Sequence, residues 1–323
     1  MSNAPLTFAP ILKPKVWGGH RLAQWGKSVP EHTPVGESWE LADLPLSIDE
    51  GRSVVDSGMM AGTPLRRLIE HDPTAILGRC APSADGGFPL LVKLLDAKEH
   101  LSVQVHPDAA YAAAHPDAHL KTESWVVLEA EPGAVIYKGV RSGVTPDRFA
   151  QAIDEGTVTE LLVEVPVHAG ECHDLPSGTC HALGAGVLVA EVQTPSDTTF
   201  RVFDWGRTDR ALHIDQAMQC IDFNEPAPLT APAVREADGV RTSFLSRTPF
   251  YAIERMDATQ PVAVQIDPDG APAVLMVIAG TARIDERTLE RGRTMLLPAA
   301  LAPQRMAMET GTSVLRITID SSG

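Results

Sequence analysis

The sequence has few cysteines, few aromatic residues and a shortage of basic side chains. Its 323 residues include 4 cysteines and 5% aromatic residues. No two cysteines form a CxxC pair, so neither a disulfide framework nor a cysteine-rich zinc knuckle is supported. The 27 basic and 42 acidic residues give a formal charge of -15, which opposes non-specific attraction to nucleic acid or anionic membranes. We therefore expect no nucleic-acid or membrane partner, and local cations must hold any anionic ligand.

Signatures of several other protein classes are also missing. No stretch approaches the roughly 20 apolar residues of a membrane span, and the first residues lack the unbroken apolar core of a secretory leader. There is no GxGxxG or P-loop spacing for a nucleotide, and no GxSxG element of a serine hydrolase. With cysteines too few for a disulfide framework, these absences predict a protein of the reducing cytoplasm.

What the sequence does contain is short β-type segments between turns. Val, Leu, Ile and Thr recur in runs that are punctuated by 25 glycines and 26 prolines. This profile predicts a mainly β chain, arranged as a sandwich or a barrel. Helical signals are short: Pro107 is well placed to open an Ala-rich helix, Pro146 opens another, and Thr157 with Glu160 resembles a capping box.

The β segments fall into two units. We expect residues 1–240 to form one domain with an N-terminal extension and small helices, and residues 241–323 to form a second β domain. The units share a spacing, since a glycine precedes a proline by six positions at Gly170–Pro176 and again at Gly292–Pro298. Five residues beyond these prolines stand His181 and Pro303, so the second unit is predicted to be a degenerate copy that lacks polar ligands.

One segment of the first unit alternates cleanly between apolar and polar residues. In LSVQVHP, the side chains of Ser102, Gln104 and His106 fall on one face of a strand and the apolar residues on the other. Imidazole suits zinc and other first-row divalent ions, so this face is a candidate for metal binding. A histidine with an ordinary structural hydrogen bond is the competing interpretation.

Longer motifs carry a resemblance to a known family. The string GECHDLPSGTCH at 170–181 resembles the second cupin motif, although Ala185 stands where an asparagine is usual. The segments FPLLVKLLDAKEHLSVQVHPD, KTESW, GTCHALGAG and EVQTPSDTTFRVFDW are similar, in order and spacing, to the type I mannose-6-phosphate isomerases, most of all to the short bacterial form. The similarity extends from KPKVWGG to LHIDQA, about two thirds of the chain.

The resemblance implies a fold and a cofactor. The fold is a cupin, which is a double-stranded β-helix jelly roll, here forming a catalytic barrel with short helical insertions and followed by a second, degenerate cupin-like unit. The cofactor is one divalent metal per chain, with zinc expected. The family's ligands match Gln104, His106, Glu123 and His181. Gln104 is either a weak ligand or only a neighbour, since an amide oxygen binds metals weakly.

The resemblance also implies a reaction and the residues that perform it. The reaction is the interconversion of mannose 6-phosphate and fructose 6-phosphate. The family's active-site arginine matches Arg201, the lysine of K-T-E matches Lys121, and an acidic residue ten positions before the arginine matches Glu191. Ser102 and Lys93 fall where the family contacts the phosphate.

This reaction moves a proton between C1 and C2 of the sugar through an enediol-like intermediate. Negative charge develops on oxygen, so the site needs cations to stabilise it and a base to carry the proton. Arg201 would lie over the developing enediolate. Lys121 and Glu191 are equal candidates for the base, and a water molecule at the metal is a third.

Other interpretations stay open at this point. Glu191 and Arg201 could form an ordinary cross-strand ion pair. Lys93 lies in an apolar run and needs a partner, which could be phosphate, Asp96 or another carboxylate, and Ser102 could be a small polar filler. The substrate could also be a free sugar or another sugar phosphate, or the chain could be a non-catalytic cupin that binds a metal or a sugar. The oligomeric state is undetermined.

Overall fold

The first part of the chain folds as antiparallel β-structure with short helices between the strands. A computed structural model describes residues 4–320. The strands of this part are β1 (Leu6–Thr7), β2 (Ile11–Gly19), β3 (Val35–Leu41), β4 (Leu91–Ala97), β5 (Val103–Val105), β6 (Glu123–Ala130), β7 (Val135–Val140), β8 (Leu162–Pro166), β9 (Cys172–Leu175), β10 (His181–Leu183), β11 (Val187–Gln193) and β12 (Phe200–Phe203). The helices are α1 (Leu65–His71), α2 (Pro73–Leu77), α3 (Ala109–Ala114), α4 (Pro146–Glu155) and α5 (Ile214–Cys220), with 3-10 turns at Arg21–Trp25 and Val158–Leu161.

The second part consists of strands joined by tight turns. They are β13 (Ala233–Ala237), β14 (Val240–Arg247), β15 (Tyr251–Ala258), β16 (Val262–Ile266), β17 (Ala273–Ala279), β18 (Thr281–Ile284), β19 (Arg287–Glu290), β20 (Thr294–Leu297), β21 (Gln304–Met308) and β22 (Ser313–Ile319). The predicted mainly β architecture is therefore confirmed. No helix within residues 4–320 is long and apolar enough to cross a membrane.

Two sheets form the first unit and position the candidate residues. One has the strand order β2-β3-β4-β11-β6-β9 and the other β12-β5-β10-β7-β8. Apolar side chains from both sheets, among them Trp125, Ile136 and Leu183, pack into one cluster. The antiparallel register sets Gln104 opposite His181 on β10 and also opposite Arg201 on β12. Residues that are far apart in the sequence are thus brought together by strand pairing.

The second unit repeats the strand pairing of the first. In the first unit β6 pairs with β9 and β11, and β7 pairs with β8 and β10. In the second, β17 pairs with β20 and β22, and β18 pairs with β19 and β21. This is the topology that a degenerate copy would show. The domain boundary at residue 240 stays a prediction, and it falls at the start of β14, within the β13–β14 hairpin.

The N-terminal segment joins the two units. Strand β1 pairs with β20, which places Leu6 opposite Leu296. Leu6 and Phe8 belong to the same buried cluster as Val274 and Met276 of the second unit. The two units therefore share a hydrophobic core, which stabilises their contact.

Two helix predictions need correction. The Ala-rich helix starts two residues beyond Pro107, because Asp108 is its N-cap and accepts a hydrogen bond from the backbone N–H of Tyr111 at 2.7 Å. The capping box from Thr157 to Glu160 is wrong. That segment forms a single 3-10 turn in which the Thr157 side chain makes no capping hydrogen bond, because the tighter i to i+3 turn replaces the α-helical geometry that a capping box requires. Helix α4 begins where the sequence predicted it.

Candidate metal centre and substrate cavity

Three of the predicted metal ligands meet inside the first unit. His106 follows β5, Glu123 begins β6 and His181 begins β10. The Nε2 atoms of His106 and His181 lie 3.4 and 3.1 Å from the two carboxylate oxygens of Glu123. All three residues are buried, and one ligand atom from each lies within 4.8 Å of the others.

Hydrogen bonds to the backbone fix the two imidazole rings. Nδ1 of His106 is 2.9 Å from the carbonyl oxygen of Thr198, and Nδ1 of His181 is 2.8 Å from that of Thr179. A carbonyl can only accept, so each Nδ1 carries the proton and each Nε2 turns a lone pair toward Glu123. Such outer hydrogen bonds are typical of metal-binding histidines.

The arrangement fits a divalent ion. Within residues 4–320, neither Oε1 of Glu123 nor Nε2 of His106 has a hydrogen-bond partner, and Oε2 of Glu123 has the ammonium group of Lys121 at 2.9 Å. Acceptors that face one another in a buried site favour a further cation. Tetrahedral zinc with bonds of about 2.0–2.1 Å separates its ligand atoms by about 3.3 Å. The observed separations of 3.1 and 3.4 Å agree with that value.

The charge states also suit a metal. The pKa of His106 is lowered to about 3. Burial is the largest cause, and the positive charge of Lys121 is the second. Burial alone would raise the pKa of Glu123, but Lys121, whose Nζ lies 2.9 Å from Oε2, holds it well below its usual range. The site therefore offers a neutral imidazole and a carboxylate at neutral pH, which are the forms that bind metal ions.

Gln104 lies beside this cluster. Its amide nitrogen is 3.4 Å from Nε2 of His181, and its Oε1 is 3.5 Å from the hydroxyl of buried Ser102. A 180° rotation of the amide would exchange its nitrogen and oxygen. Gln104 is thus placed either to complete the ligand set or to flank it.

A cavity of about 420 Å³ lies beside the metal cluster, and its lining includes Lys121 and Gln104, which contact Glu123 at 2.9 Å and His181 at 3.4 Å. Six basic and three acidic side chains line it, a positive excess in a chain whose formal charge is -15. Local cations of this kind favour an anionic ligand. The charged lining residues are Lys13, Lys15, Lys93, Lys121, Arg201 and Arg210 with Glu37, Glu191 and Asp197.

Lys93 is paired with carboxylates on one wall of this cavity. Its Nζ is 2.8 Å from Glu191 Oε2 and 3.8 Å from Glu37 Oε2, while Trp125 Nε1 donates a 2.9 Å hydrogen bond to Glu191 Oε1. Burial alone would lower the pKa of Lys93, but the two carboxylates raise it above its usual value. The carboxylate partner is therefore Glu191 with Glu37 and not Asp96, which binds Arg21 at 2.7 Å.

This network predicts a pH-dependent contribution of Glu37 to stability. Burial alone would raise the pKa of Glu37, yet Lys93 and Lys15 lower it to about 2 from 4.5. A depressed carboxyl pKa stabilises the fold above the unfolded-state value and loses that effect as the pH falls through the folded-state value. We expect Glu37→Gln to cost about 3 kcal/mol at neutral pH, and less than half of that at about pH 3.

Urea denaturation of both proteins across this pH range measures the difference in the free energy of unfolding. Glu70→Gln is the control, because Glu70 forms an exposed pair with Arg67 at 3.1 Å. Its substitution should change stability by less than about 1 kcal/mol at any pH. A Glu37→Gln deficit that stayed constant with pH would contradict the prediction.

Arg201 and Glu191 do not form the cross-strand pair considered above. Nη1 of Arg201 donates a 3.0 Å hydrogen bond to the carbonyl of Ala211, and its Nε lies 4.0 Å from Asp204 Oδ2. Burial, and then the like charge of Arg210, lower the pKa of Arg201. Arg201 and Glu191 line the same cavity from different sheets.

Sequence reasoning missed several residues of the cavity. Glu37 and Trp39 belong to VGESWEL, where strand alternation already places them on one face. Arg210 and His213 lie in the irregular segment between β12 and α5, and both line the cavity. No periodic pattern marks that segment, so only the packing shows its position.

Comparison with known proteins identifies the family. The family model described as phosphomannose isomerase type I, catalytic domain, matches residues 6–127. The mannose-6-phosphate isomerase of Streptococcus mutans is 38% identical over 306 residues, which are 91% of this chain and 92% of that protein. The chain belongs to the type I mannose-6-phosphate isomerase family. A Bacillus subtilis mannose-6-phosphate isomerase is 32% identical over 93% of this chain and 95% of its own length.

Solved structures of phosphomannose isomerases share the fold. The crystal structure of mannose 6-phosphate isomerase from Bacillus subtilis superposes with a TM-score of 0.86 at 28% identity, covering 98% of this chain and 99% of that one. A phosphomannose isomerase variant from Salmonella typhimurium gives 0.77 at 19% identity, with coverage of 98% and 99%, and shows the fold alone. The predicted family and cupin fold are confirmed. The family is metal-dependent, and His106, Glu123 and His181 could bind one ion.

Proposed function

We propose that this chain interconverts mannose 6-phosphate and fructose 6-phosphate with the help of one bound divalent metal, for which zinc is the expected ion. The observation that carries the proposal is a buried His-Glu-His cluster whose neighbours Lys121 and Gln104 line a cavity with an excess of basic side chains. The cluster suits a metal that binds sugar oxygens, and the basic lining suits a phosphate. The positive excess also favours a phosphorylated substrate over a free sugar.

His106, Glu123 and His181 would hold the ion, with Gln104 as a weak fourth ligand or a neighbour. A nitrogen and carboxylate ligand set is typical of zinc and of other first-row metals. When bound, the ion would stabilise negative charge that develops on the sugar oxygens. The cluster of acceptors explains why these residues would bind a cation in preference to forming hydrogen bonds with one another.

The chain's own residues would supply the remaining chemistry. Arg201 would place a guanidinium near the developing enediolate, where a fixed positive charge stabilises the transition state. Lys121 and Glu191 both line the cavity and are the two candidates for the proton carrier. Each oxygen of Glu191 has one partner, Lys93 or Trp125, and keeps a second lone pair that can accept a proton. Lys121 would first have to lose a proton, because an ammonium group cannot accept one, and its contact with Glu123 favours the charged form.

Ser102 and Lys93 are proposed to bind the substrate at the cavity wall. Both line the cavity, and Lys93 keeps its positive charge because Glu191 and Glu37 raise its pKa. We also propose that residues 1–240 form the catalytic domain and residues 241–323 a cupin-like domain without metal ligands, and that the protein resides in the cytoplasm. The strand pairing pattern that occurs in both units supports this division.

A coupled assay of mannose 6-phosphate isomerisation, with elemental analysis of the same sample, tests the function. We expect about one metal ion per chain, loss of activity after treatment with a chelator, and recovery on addition of zinc or cobalt. Free mannose serves as the control substrate and should turn over far more slowly. Full activity in an exhaustively metal-free sample would contradict the metal dependence, and equal turnover of mannose would contradict the phosphate assignment.

A further inference from the structure

One buried carboxylate holds an arginine cluster at the edge of the cavity. Asp204 follows β12, and its side chain is 1% exposed. Oδ1 accepts hydrogen bonds from Nη2 of Arg210 at 2.6 Å and from Nη2 of Arg207 at 2.8 Å, and Oδ2 accepts one from Nε of Arg210 at 2.9 Å. Nε of Arg201 is 4.0 Å from the same carboxylate. Three guanidinium groups therefore share one carboxylate.

This cluster carries more positive than negative charge. Two further carboxylates lie near it, Glu99, which is 62% exposed and 3.7 Å from Arg207, and Asp209, which is also exposed and whose charge acts to raise the pKa of Arg201. Because both are exposed, water screens much of their effect. The buried Nε of Arg201 has no hydrogen-bond partner within residues 4–320, and the like charge of Arg210 contributes to the lowered pKa of Arg201. An anion between these two guanidinium groups would relieve both conditions.

The members of the cluster differ in where they point. Arg207 donates a 2.7 Å hydrogen bond to the carbonyl of His100 and is not part of the cavity wall. Arg201 and Arg210 both line the cavity. Arg210 binds Asp204 side-on through Nε and Nη2, and its Nη1 forms no hydrogen bond with residues 4–320. That group can donate to a ligand in the cavity.

The geometry points to Asp204 as a positioning residue that orients Arg201 and Arg210, and to Arg210 as a further binding residue for the substrate phosphate. The inference rests on the proposed function. Arg210 would be a third phosphate contact beside the predicted Ser102 and Lys93. The charge of Lys93 is already matched by two carboxylates, whereas the Asp204 cluster has an excess of positive charge. A guanidinium held in a fixed orientation also loses little entropy when it binds a phosphate.

Variants of the metal-loaded, full-length enzyme test this assignment. Arg210→Ala should raise KM for mannose 6-phosphate by about 10- to 100-fold, the loss expected for a charge-assisted hydrogen bond, and should lower kcat less. Inhibition by inorganic phosphate should weaken by a similar factor. Arg210→Lys should recover part of the loss, because it keeps the charge without the forked geometry. The control is Arg148→Ala, since Arg148 forms an exposed pair with Glu155 on α4.

Asp204→Asn tests the positioning role. It removes the charge that holds both cavity arginines, so we expect KM to rise and kcat to fall together, and Asp204→Glu should restore part of each. Thermal unfolding identifies any variant that fails to fold, and in that case Asp204→Glu carries the test through its own split between KM and kcat. Unchanged KM and phosphate inhibition in Arg210→Ala would overturn the binding role. Wild-type kinetics in a folded Asp204→Asn protein would overturn the positioning role.

Calorimetric titration with inorganic phosphate and fructose 6-phosphate separates this inference from the proposed function, because binding needs no turnover. If the wild-type protein binds both ligands, and Arg210→Ala binds them about 10- to 100-fold more weakly, the arginine assignment stands even if no isomerisation occurs. If isomerisation is normal but Arg210→Ala binds both ligands as the wild type does, the assignment fails and the proposed function stands.

Discussion

Substitution of Glu123 by glutamine is expected to lower the turnover of mannose 6-phosphate by at least about 1000-fold, because the proposed reaction relies on charge stabilisation by a metal held at this cluster. Glu123 contributes the negative charge of the cluster and lies within 3.4 Å of both Nε2 atoms. Glutamine keeps the volume but replaces the charged oxygens with a neutral amide. The amide would be a weak ligand, so the ion should be lost or bound much more weakly.

Two measurements on the same sample separate loss of the metal from loss of the fold. Elemental analysis should give far less than one ion per chain in Glu123→Gln, whereas circular dichroism should match the wild type. Glu129→Gln is the matched control, because Glu129 lies on the same strand, where it accepts a 2.9 Å hydrogen bond from Trp25, and lies outside the metal cluster. A Glu123→Gln protein with full metal content and normal turnover would remove Glu123 from the site.

Strand alternation predicted part of this centre from local sequence alone. Because the side-chain period of a strand is two, the sequence placed Ser102, Gln104 and His106 on one face before any tertiary contact was known. Glu123 and His181 required the family resemblance, since their approach depends on the pairing of β5 with β10 and on the closure of the barrel. Strand register of this kind cannot be deduced from a single strand.

The charge partners within the cavity were beyond local reasoning. Lys93 in an apolar run indicated that a partner exists, but the choice of Glu191 and Glu37 over Asp96 follows from the antiparallel pairing of β4 with β11 and β3. The proposed role of Asp204 could not be predicted from the sequence for a different reason. Its role depends on a loop after β12 that folds back toward the cavity, and irregular segments lack the periodicity on which sequence interpretation rests.

A buried ion pair where the two units meet could not be predicted from local sequence either, and it leads to a prediction about stability. The ammonium group of Lys27 lies 2.6 Å from Glu40 Oε2 and donates a 2.7 Å hydrogen bond to the carbonyl of Gly292 in the second unit. Ser38 donates a 2.6 Å hydrogen bond to the other oxygen of Glu40. The pair is buried, and this burial lowers the pKa of Lys27. Its parts come from distant places in the chain, so no local pattern predicts it.

Substitution of Lys27 by alanine is expected to lower the free energy of unfolding by about 3–5 kcal/mol, because it leaves the Glu40 carboxylate buried without its cation. Urea denaturation measures the loss. Arg67→Ala breaks an exposed pair with Glu70 and, as the control, should cost less than about 1 kcal/mol. The double variant Lys27→Met with Glu40→Gln should recover part of the loss, since it removes both charges together.

The double variant also distinguishes the charge from the link between the units. The Gly292 carbonyl loses its donor in both Lys27 variants, so a deficit that persists when both charges are removed measures that hydrogen bond, because methionine fills most of the space of the lysine stem. A deficit that disappears assigns the loss to the unpaired carboxylate. If Lys27→Ala costs no more than the Arg67→Ala control, the buried pair does not stabilise the joint, and the shared apolar core around Leu6 and Phe8 must hold the units together without it.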